Sequence, residues 1–473
     1  MPQTAQNAQT SPPVGELEES LYEVRKKIYP RSVHGWWAGW RWALVWITQV
    51  IYYGLPWLTW NERQAVLFDL AARKFYIVGL VFWPQDVIYL TVLLIISALS
   101  LFLFTAVAGR LWCGYACPQT VYTEIFMWIE RRIEGDRPAR MRLDAAPWSA
   151  RKLGLKSAKH AAWIALALWT GFTFVGYFTP IKTLWSDLLA ASLGPWEIFW
   201  IGFYGFATWG NAGFMREQVC KYMCPYARFQ SAMFDRDTLI ITYDQGRGEP
   251  RGPRKRTADR VAAGLGDCVN CNFCVQVCPT GIDIRDGLQY ECIGCAACID
   301  ACDQVMDRMK YPRGLIRYSS EAGVEHGYSS RQILRRALRP RTLLYGAVLL
   351  GIIVALFLTL ILRTPLKMDV IRDRAALVRE TADGLLENVY RLQVMNTREA
   401  AHRYRLEVSG LEGIQLIGEQ VVEVPPATST TVPVSVRVDP AKLKTGSYTI
   451  MFRITDIDQP EIAVTEKSRF YVR

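Results

Sequence analysis

Two cysteine runs stand back to back in this 473-residue chain: Cys268-x2-Cys271-x2-Cys274-x3-Cys278-Pro279, then Cys292-x2-Cys295-x2-Cys298-x3-Cys302. A cubane of four irons presents four corners, so three thiolates come from one tight loop and the fourth from further away. This spacing wraps two 4Fe–4S clusters, with the last cysteine of each run serving the other run's cluster. The expected sets are therefore Cys268, Cys271, Cys274 and Cys302 for one cluster, and Cys292, Cys295, Cys298 and Cys278 for the other. Only 13 residues separate the runs, which keeps the clusters close enough to exchange electrons. A pair of four-cysteine zinc sites is the alternative, although zinc sites pair two C-x2-4-C hooks rather than string three cysteines together. Asp303 follows Cys302 where Pro279 follows Cys278, and a carboxylate beside one cluster is expected to lower its potential.

The other four of the 12 cysteines repeat a second pattern, Cys113-Gly-Tyr-Ala-Cys117-Pro118 and Cys220-Lys-Tyr-Met-Cys224-Pro225, at an offset of 107. Each follows a pair of apolar segments, so the chain reads as a parallel internal repeat of two spans and a cysteine pair. Where the stretch is helical, i and i+4 put both sulfurs on one face. Pairing the two halves gathers Cys113, Cys117, Cys220 and Cys224 at one membrane face. There they suit a soft metal such as Cu(I), a further cofactor such as a third cluster, or a dithiol–disulfide cycle; inert buried thiols are the plain alternative.

Seventeen Trp and 51% hydrophobic residues with near-neutral mean hydropathy indicate several membrane spans plus soluble mass. Five segments approach the roughly 20 residues a bilayer core demands: 40–60, 86–108, 161–180, 196–214 and 343–362. The apolar stretch 75–83 is too short to span and is expected at the interface. Ten Lys and Arg lie in 109–159 and twenty in 214–341, against Lys182 alone in 181–195. With Arg25, Lys26, Lys27 and Arg31 before the first span, this asymmetry puts the N-terminus and all the cysteines in the cytoplasm and the C-terminus outside. No cleavable leader is read in the polar first residues. The net charge of +11 is explained by these loops without nucleic acid, and the basic run 247–260 is expected to touch anionic lipid. Cysteines confined to the reducing side serve metal or redox chemistry rather than disulfides.

Beyond Met368 the pattern changes to short alternating runs such as 390–394, 403–408, 431–438, 448–454 and 469–472. About seven strands without a cysteine pair suggest an immunoglobulin-like β-sandwich. It carries no catalytic constellation, reads as a docking module, and places His402 as a surface strand residue. The fold class is thus an α-helical polytopic membrane protein of five transmembrane helices, with a two-cluster ferredoxin-like cytoplasmic domain and a C-terminal sandwich. The expected divisions are an arm at 1–37, a four-helix membrane domain at 38–215, and a cytoplasmic region at 216–341 holding the ferredoxin-like domain at about 259–312. The fifth span takes 342–363 and the external sandwich 364–473. There is no C-x-x-C-H, no G-x-G-x-x-G after a strand, and the histidines (His34, His160, His326, His402) are scattered. Haem and nicotinamide sites are not expected.

Arg110-Leu-Trp-Cys-Gly-Tyr-Ala-Cys-Pro-Gln119, Cys220-Lys-Tyr-Met-Cys-Pro-Tyr-Ala-Arg-Phe-Gln230, Ile241-Thr-Tyr-Asp244 and Arg247-Gly-Glu-Pro-Arg-Gly252 appear in order around the double run. With the Arg25–Arg31 arm and the sandwich, this order resembles the cytochrome c oxidase accessory protein family (CcoG, FixG, RdxA) over nearly the whole chain. The resemblance implies a bacterial inner-membrane cupric reductase that supplies Cu(I) for assembly of cbb3-type cytochrome oxidase. It further implies that the two clusters store electrons and that Cys113, Cys117, Cys220 and Cys224 handle copper as substrate. The partners it implies are membrane lipid, copper transporters or chaperones, oxidase assembly factors and an unidentified electron donor; a homo-oligomer stays open. Two rivals remain: an electron conduit to another membrane or periplasmic reductase, and a non-enzymatic oxidase assembly scaffold.

Overall fold

Apolar periodicity and proline placement set out the helices in the order expected. The computed structural model describes residues 27–256, 264–373 and 378–472. Arg25 and Lys26 of the basic arm, Arg260 of the basic run and residues 259–263 of the expected ferredoxin-like domain lie outside them. Five helices stand where spans were expected: Trp36–Gly54, Val87–Ala108, Ala150–Val175, Pro195–Thr208 and Pro340–Ile361. Two of these, the second extended at its start to Pro84–Ala108 and the fifth Pro340–Ile361, are long and apolar enough to cross a membrane, each with a mean hydropathy of 2.7. Of the others, Ala150–Val175 opens on Arg151, Lys152, Lys156 and Lys159, and Pro195–Thr208 has only 14 residues before it loosens into the wider turns of Trp209–Met215.

The two apolar helices pack against each other antiparallel, and Tyr89 donates from its hydroxyl to the Thr359 carbonyl at 3.3 Å. At one end Asp86 is buried between Arg363, at 2.6 Å, and Lys367. Although the sequence places Asp86 at the start of an apolar segment, where a charge at headgroup level is expected, it is a buried clamp with two cations, because both helix ends meet there. At the other end Arg339 donates to the Ala106 carbonyl at 2.8 Å and pairs with Asp235 at 2.6 Å. Leu239 donates to Val107 at 3.0 Å, and the chain enters the cysteine-rich domain immediately afterwards.

Strand alternation builds the C-terminal sandwich. One sheet runs Gln415–Gly418, Ser429–Val438, Leu386–Asn396, Leu366–Arg372, with Arg379–Glu380 also on Leu386–Asn396; the other runs Val421–Val424, His402–Ser409, Gly446–Asp456, Ala463–Val472. Every second residue points inward: Tyr390, Leu392 and Val394 face Ile450, Phe452 and Ile454 across the core, as half-buried strands require. His402 is not a surface residue; its side chain is largely buried, with Nδ1 3.1 Å from the Asp456 carboxylate.

Residues 66–82 form a three-stranded antiparallel sheet, Val66–Asp69, Lys74–Ile77 and Leu80–Phe82. Part of the expected interfacial stretch is thus strand. Val81 and Trp83 pack on Met395 of the sandwich, and Arg63 meets Glu399 at 2.5 Å. The sandwich and this small sheet lie at the Asp86 end of the apolar pair, and the cysteine-rich domain lies at the Ala106 end.

Candidate redox site

The cysteine-rich domain rests on the strand pair Ile240–Tyr243 and Ile316–Ser319, with helix Phe273–Gln276 carrying Cys274 and helix Ala297–Met309 carrying Cys298 and Cys302. Two cavities of similar size open inside it. The outer one is lined by Cys268, Cys271, Cys274 and Cys302, closed by Tyr243 and Met306. The inner one is lined by Cys278, Cys292, Cys295 and Cys298, and by Cys274, which borders both. The last cysteine of each run thus lines the cavity of the other run.

This donor set fits two cubanes. Among the described residues, the one group of three His, Cys, Asp or Glu ligand atoms within 4.8 Å of one another is His402, Asp456 and Asp458, with no thiols in it. A mononuclear zinc needs its thiolates closer than that, whereas a cubane holds four sulfurs at its separate corners. Burial pushes Cys274 and Cys292 up to about 12 and raises Cys295, Cys298 and Cys302 as well, so ligation here releases protons. Asp303 accepts from the Gly314 amide at 3.0 Å; burial raises its carboxyl.

The second cysteine pattern abuts the inner cavity. Cys113 and Cys220 pack in one cluster with Ile293, Cys295 and Ala297. Gly114 touches the inner loop backbone to backbone: a Cβ there would stand 2.8 Å from Gly294 and 2.9 Å from Cys295 Cα. The four thiols lie within electrostatic reach of one another. Burial first, then the charges of neighbouring thiols, pushes Cys113 up to about 12 and Cys220 up to about 11, and burial raises Cys117. Gln230, fully buried, donates to Cys113 Sγ at 3.5 Å.

The i, i+4 expectation fails here. Cys113 lies in the short helix Leu111–Tyr115 and Cys220 in the wide turn Val219–Met223, but Cys117 and Cys224 are extended, at ψ 128° and 110°, and precede the helices Pro118–Glu134 and Pro225–Met233. A proline disfavours the helical region for the residue before it, so each Cys-Pro breaks the helix and leaves its cysteine at the start of the next one. The amides of Thr120 and Gln119 then face the Cys117 sulfur, as expected at a helix N-terminus.

Known proteins share this layout. Residues 215–321 match a family described as a 4Fe–4S dicluster domain, 90–135 a 4Fe–4S binding domain, and 356–473 the Ig-like fold at the C-terminal of FixG. Protein RdxA of Cereibacter sphaeroides is 40% identical over 464 residues, 94% of this chain and 97% of its own. The chain belongs to the FixG/RdxA family. Nitrogen fixation protein FixG of Rhizobium meliloti is 40% identical over 422 residues, 83% of this chain and 80% of its own. A crystal structure of a FixG-related protein from Vibrio parahaemolyticus is 36% identical over 23% of this chain and 97% of its own, with a TM-score of 0.22. This FixG/RdxA-family chain is accordingly an iron–sulfur redox protein.

Sequence reasoning missed the residues that join the two cysteine patterns. Asp300, between Cys298 and Cys302, accepts from the amides of Trp37 at 3.2 Å and Ala38 at 2.7 Å, capping the first long helix from another domain. Gly35 is required there, because a Cβ would collide with the Asp300 carboxylate. Arg41 and Arg110 are buried, each with an Nε that has no hydrogen-bond partner among the described residues. The Arg41 charge acts on Cys295, and that of Arg110 on Cys113, Cys220 and Cys292. Only an arginine in an apolar helix could have flagged Arg41. In the basic run, Arg247 pairs with Asp267 at 2.6 Å and Arg254 donates to the Gly266 carbonyl at 2.6 Å; these two face the domain rather than lipid.

Proposed function

We propose that this chain is an inner-membrane cupric reductase that supplies Cu(I) for assembly of cbb3-type cytochrome oxidase. The observation that carries the reading is the packing of Cys113 and Cys220 against Cys295, which sets a soft thiol site directly on a cysteine-lined redox cavity. Cu(II) favours harder nitrogen and oxygen ligands and Cu(I) favours thiolates, so Cys113, Cys117, Cys220 and Cys224 bias bound copper toward the reduced ion. Cys268, Cys271, Cys274 and Cys302 hold one cluster, and Cys278, Cys292, Cys295 and Cys298 the other. When bound, a 4Fe–4S cluster supplies one electron at a time, the number each Cu(II) takes. Reduction itself needs no proton. Gln230 and Arg110 orient and stabilise thiolate at Cys113.

In this reading all five helices lie in the membrane, with the cysteine-rich domain cytoplasmic and the sandwich periplasmic. The opposite placement of the two domains along the apolar helix pair supports that arrangement, as does the excess of Lys and Arg beside the cysteines. Copper transporters or chaperones and oxidase assembly factors are the partners.

The test is anaerobic. Purified protein is assayed for iron and sulfide, reduced, and titrated with Cu(II) in the presence of a Cu(I) chelator. A variant with Cys113, Cys117, Cys220 and Cys224 all changed to Ala is expected to keep its iron and to lose stoichiometric Cu(I) production. Equal Cu(I) production by the variant would make copper an adventitious oxidant and remove the reading.

A further inference from the structure

The outer cavity reaches the surface at Cys271. Of its four cysteines Cys271 alone is exposed. Its presentation is built: Asn270 and Asn272 on either side adopt left-handed conformations, at φ 53° and 55°. Arg285 reaches both, donating from Nη1 to Asn270 Oδ1 at 2.8 Å and from Nη2 to Asn272 Oδ1 at 2.6 Å. Arg285 is itself buried and held by Asp283, at 2.5 Å, so its charge is spent on holding the loop open rather than offered to solvent.

The rim of this opening is basic. Arg31, exposed, lies over the ring of Phe273, which lines the same cavity, 4.8 Å from its centroid. Arg254 reaches the Cys268 carbonyl at 3.4 Å, and Lys255 and Arg256 follow it, both exposed. Arg251 adds a further charge, shared with Glu249 at 3.7 Å and Asp286 at 4.0 Å. None of the inner four cysteines is exposed, and Cys295 among them packs with Cys113 and Cys220.

We infer that the basic surface around Cys271 is the docking face for a soluble, acidic one-electron carrier protein. The inference rests on the cupric reductase reading only for the destination of the electron. One electron leaves the reduced carrier and one is gained at the Cys271 side; no bond is made or broken and no proton moves. Charge complementarity decides for an acidic protein, because like-charged partners are repelled and opposite charges raise the association rate. A lipid-soluble quinol is the competing donor. It would suit the apolar groove beside the first long helix, lined by Val45, Trp46 and Val50, and that groove leads to Gly35 beside Asp300, not to Cys271.

The experiment uses full-length, cluster-loaded protein in nanodiscs and an acidic plant-type 2Fe–2S ferredoxin as the probe. Binding of the oxidised probe is measured calorimetrically, and reduction of the protein by the reduced probe is followed by visible absorbance, both without copper and over a range of salt. Affinity and second-order rate are expected to fall about tenfold or more in Lys255→Glu/Arg256→Glu, and as steeply with added salt in the wild type. Iron content and reduction by dithionite are expected to stay unchanged, and Arg31→Glu serves as an independent second variant. Binding and rate that ignore both variants and the salt would overturn the docking face. So would reduction by a quinol in the same nanodiscs that outruns the ferredoxin. Cu(I) production after dithionite reduction is read separately, so loss of the carrier face and loss of the reductase reading give different results.

Discussion

The two cysteine-lined cavities meet at Cys274, yet different parts of the chain wall them in. The outer one is closed by its own domain, Tyr243, Met306 and Ile316, and opens to water at Cys271. The inner one is closed by the repeat: Gly114 lies on Gly294, Cys113 and Cys220 lie on Cys295, and the charges of Arg41 and Arg110 point at Cys295 and Cys292. A nearby cation stabilises the more negative, reduced state of a redox group, and a nearby carboxylate opposes it. Asp303 stands beside Cys302 of the outer set. Arg285 sets one buried cation against Cys274 of the outer set, while Arg41 and Arg110 face the inner one; in the proposed reading this difference sends electrons from the outer site to the inner one and on to the four thiols.

The largest expected effect breaks one cavity and spares the other. A side chain at position 114 meets backbone, which cannot rotate away as the end of a flexible side chain can. Gly114→Val is expected to lower iron from about eight to about four per chain, by loss of the inner cubane alone. Iron and sulfide assays check this, and an unchanged count would mean that the backbone contact does not hold the inner cavity shut. Next comes the direction of the contrast. Arg110→Leu is expected to lower the inner potential by some tens of millivolts, while Arg110→Lys keeps most of it. In an electrochemical titration the outer potential should stay put; equal shifts at both sites would dissolve the asymmetry.

A smaller effect tests how the domain is seated. Asp300 supplies a cap to a helix far away in sequence, and removing such a cap costs about 1 kcal/mol, somewhat more for a carboxylate at a partly buried helix start. Asp300→Ala is expected to lower the unfolding midpoint by a few degrees, with Asp300→Asn in between. An Ala variant as stable as the wild type would mean that the Trp37 and Ala38 amides find other partners.

Much of this was legible because ligand chemistry demands short, fixed spacings. Cys268 to Cys302 announce their grouping through x2 and x3 intervals, and alternation at 390–394 or 431–438 announces a sandwich face. Cys113 and Cys117 show the limit: the repeat was visible, but Pro118 and Pro225 turned the expected common helix face into a helix break. Asp300 and Gly114 carried no signal, since each matters through a residue more than 150 positions away, and Arg41 showed only as a charge in an apolar helix. Charge reading by composition also failed at Arg247 and Arg254, which spend their hydrogen bonds within the domain, and at Asp86, whose cations come from beyond position 360.

The smallest effect concerns the strap shared by both cavities. Residues 29–34 cross from the outer side, where Arg31 covers Phe273, to the inner side, where Val33 packs with Ile293 and Cys295. Asp136 holds this strap, accepting from the Ser32 amide at 3.1 Å and its hydroxyl at 2.9 Å. Burial alone would raise the Asp136 carboxyl, but the Arg137 amide, both Ser32 donors and the Arg140 charge outweigh it and hold it below the ordinary carboxylate value. A depressed value means that the tether's contribution is complete above the ordinary carboxylate pKa of about 4 and is lost as pH falls through the lower, folded value. Amide exchange in 29–34 is therefore expected to be steady from neutral pH down to about 5, after allowing for intrinsic rates, and to accelerate below about 4. Asp136→Asn should show the accelerated exchange already at neutral pH, by a few-fold, the effect of one hydrogen-bonded charge worth about 1 kcal/mol. Because the strap touches both cavities, loosening it should expose Phe273 and Val33 together. Exchange that rises only beside Phe273 would show the outer wall to be separable from the inner one.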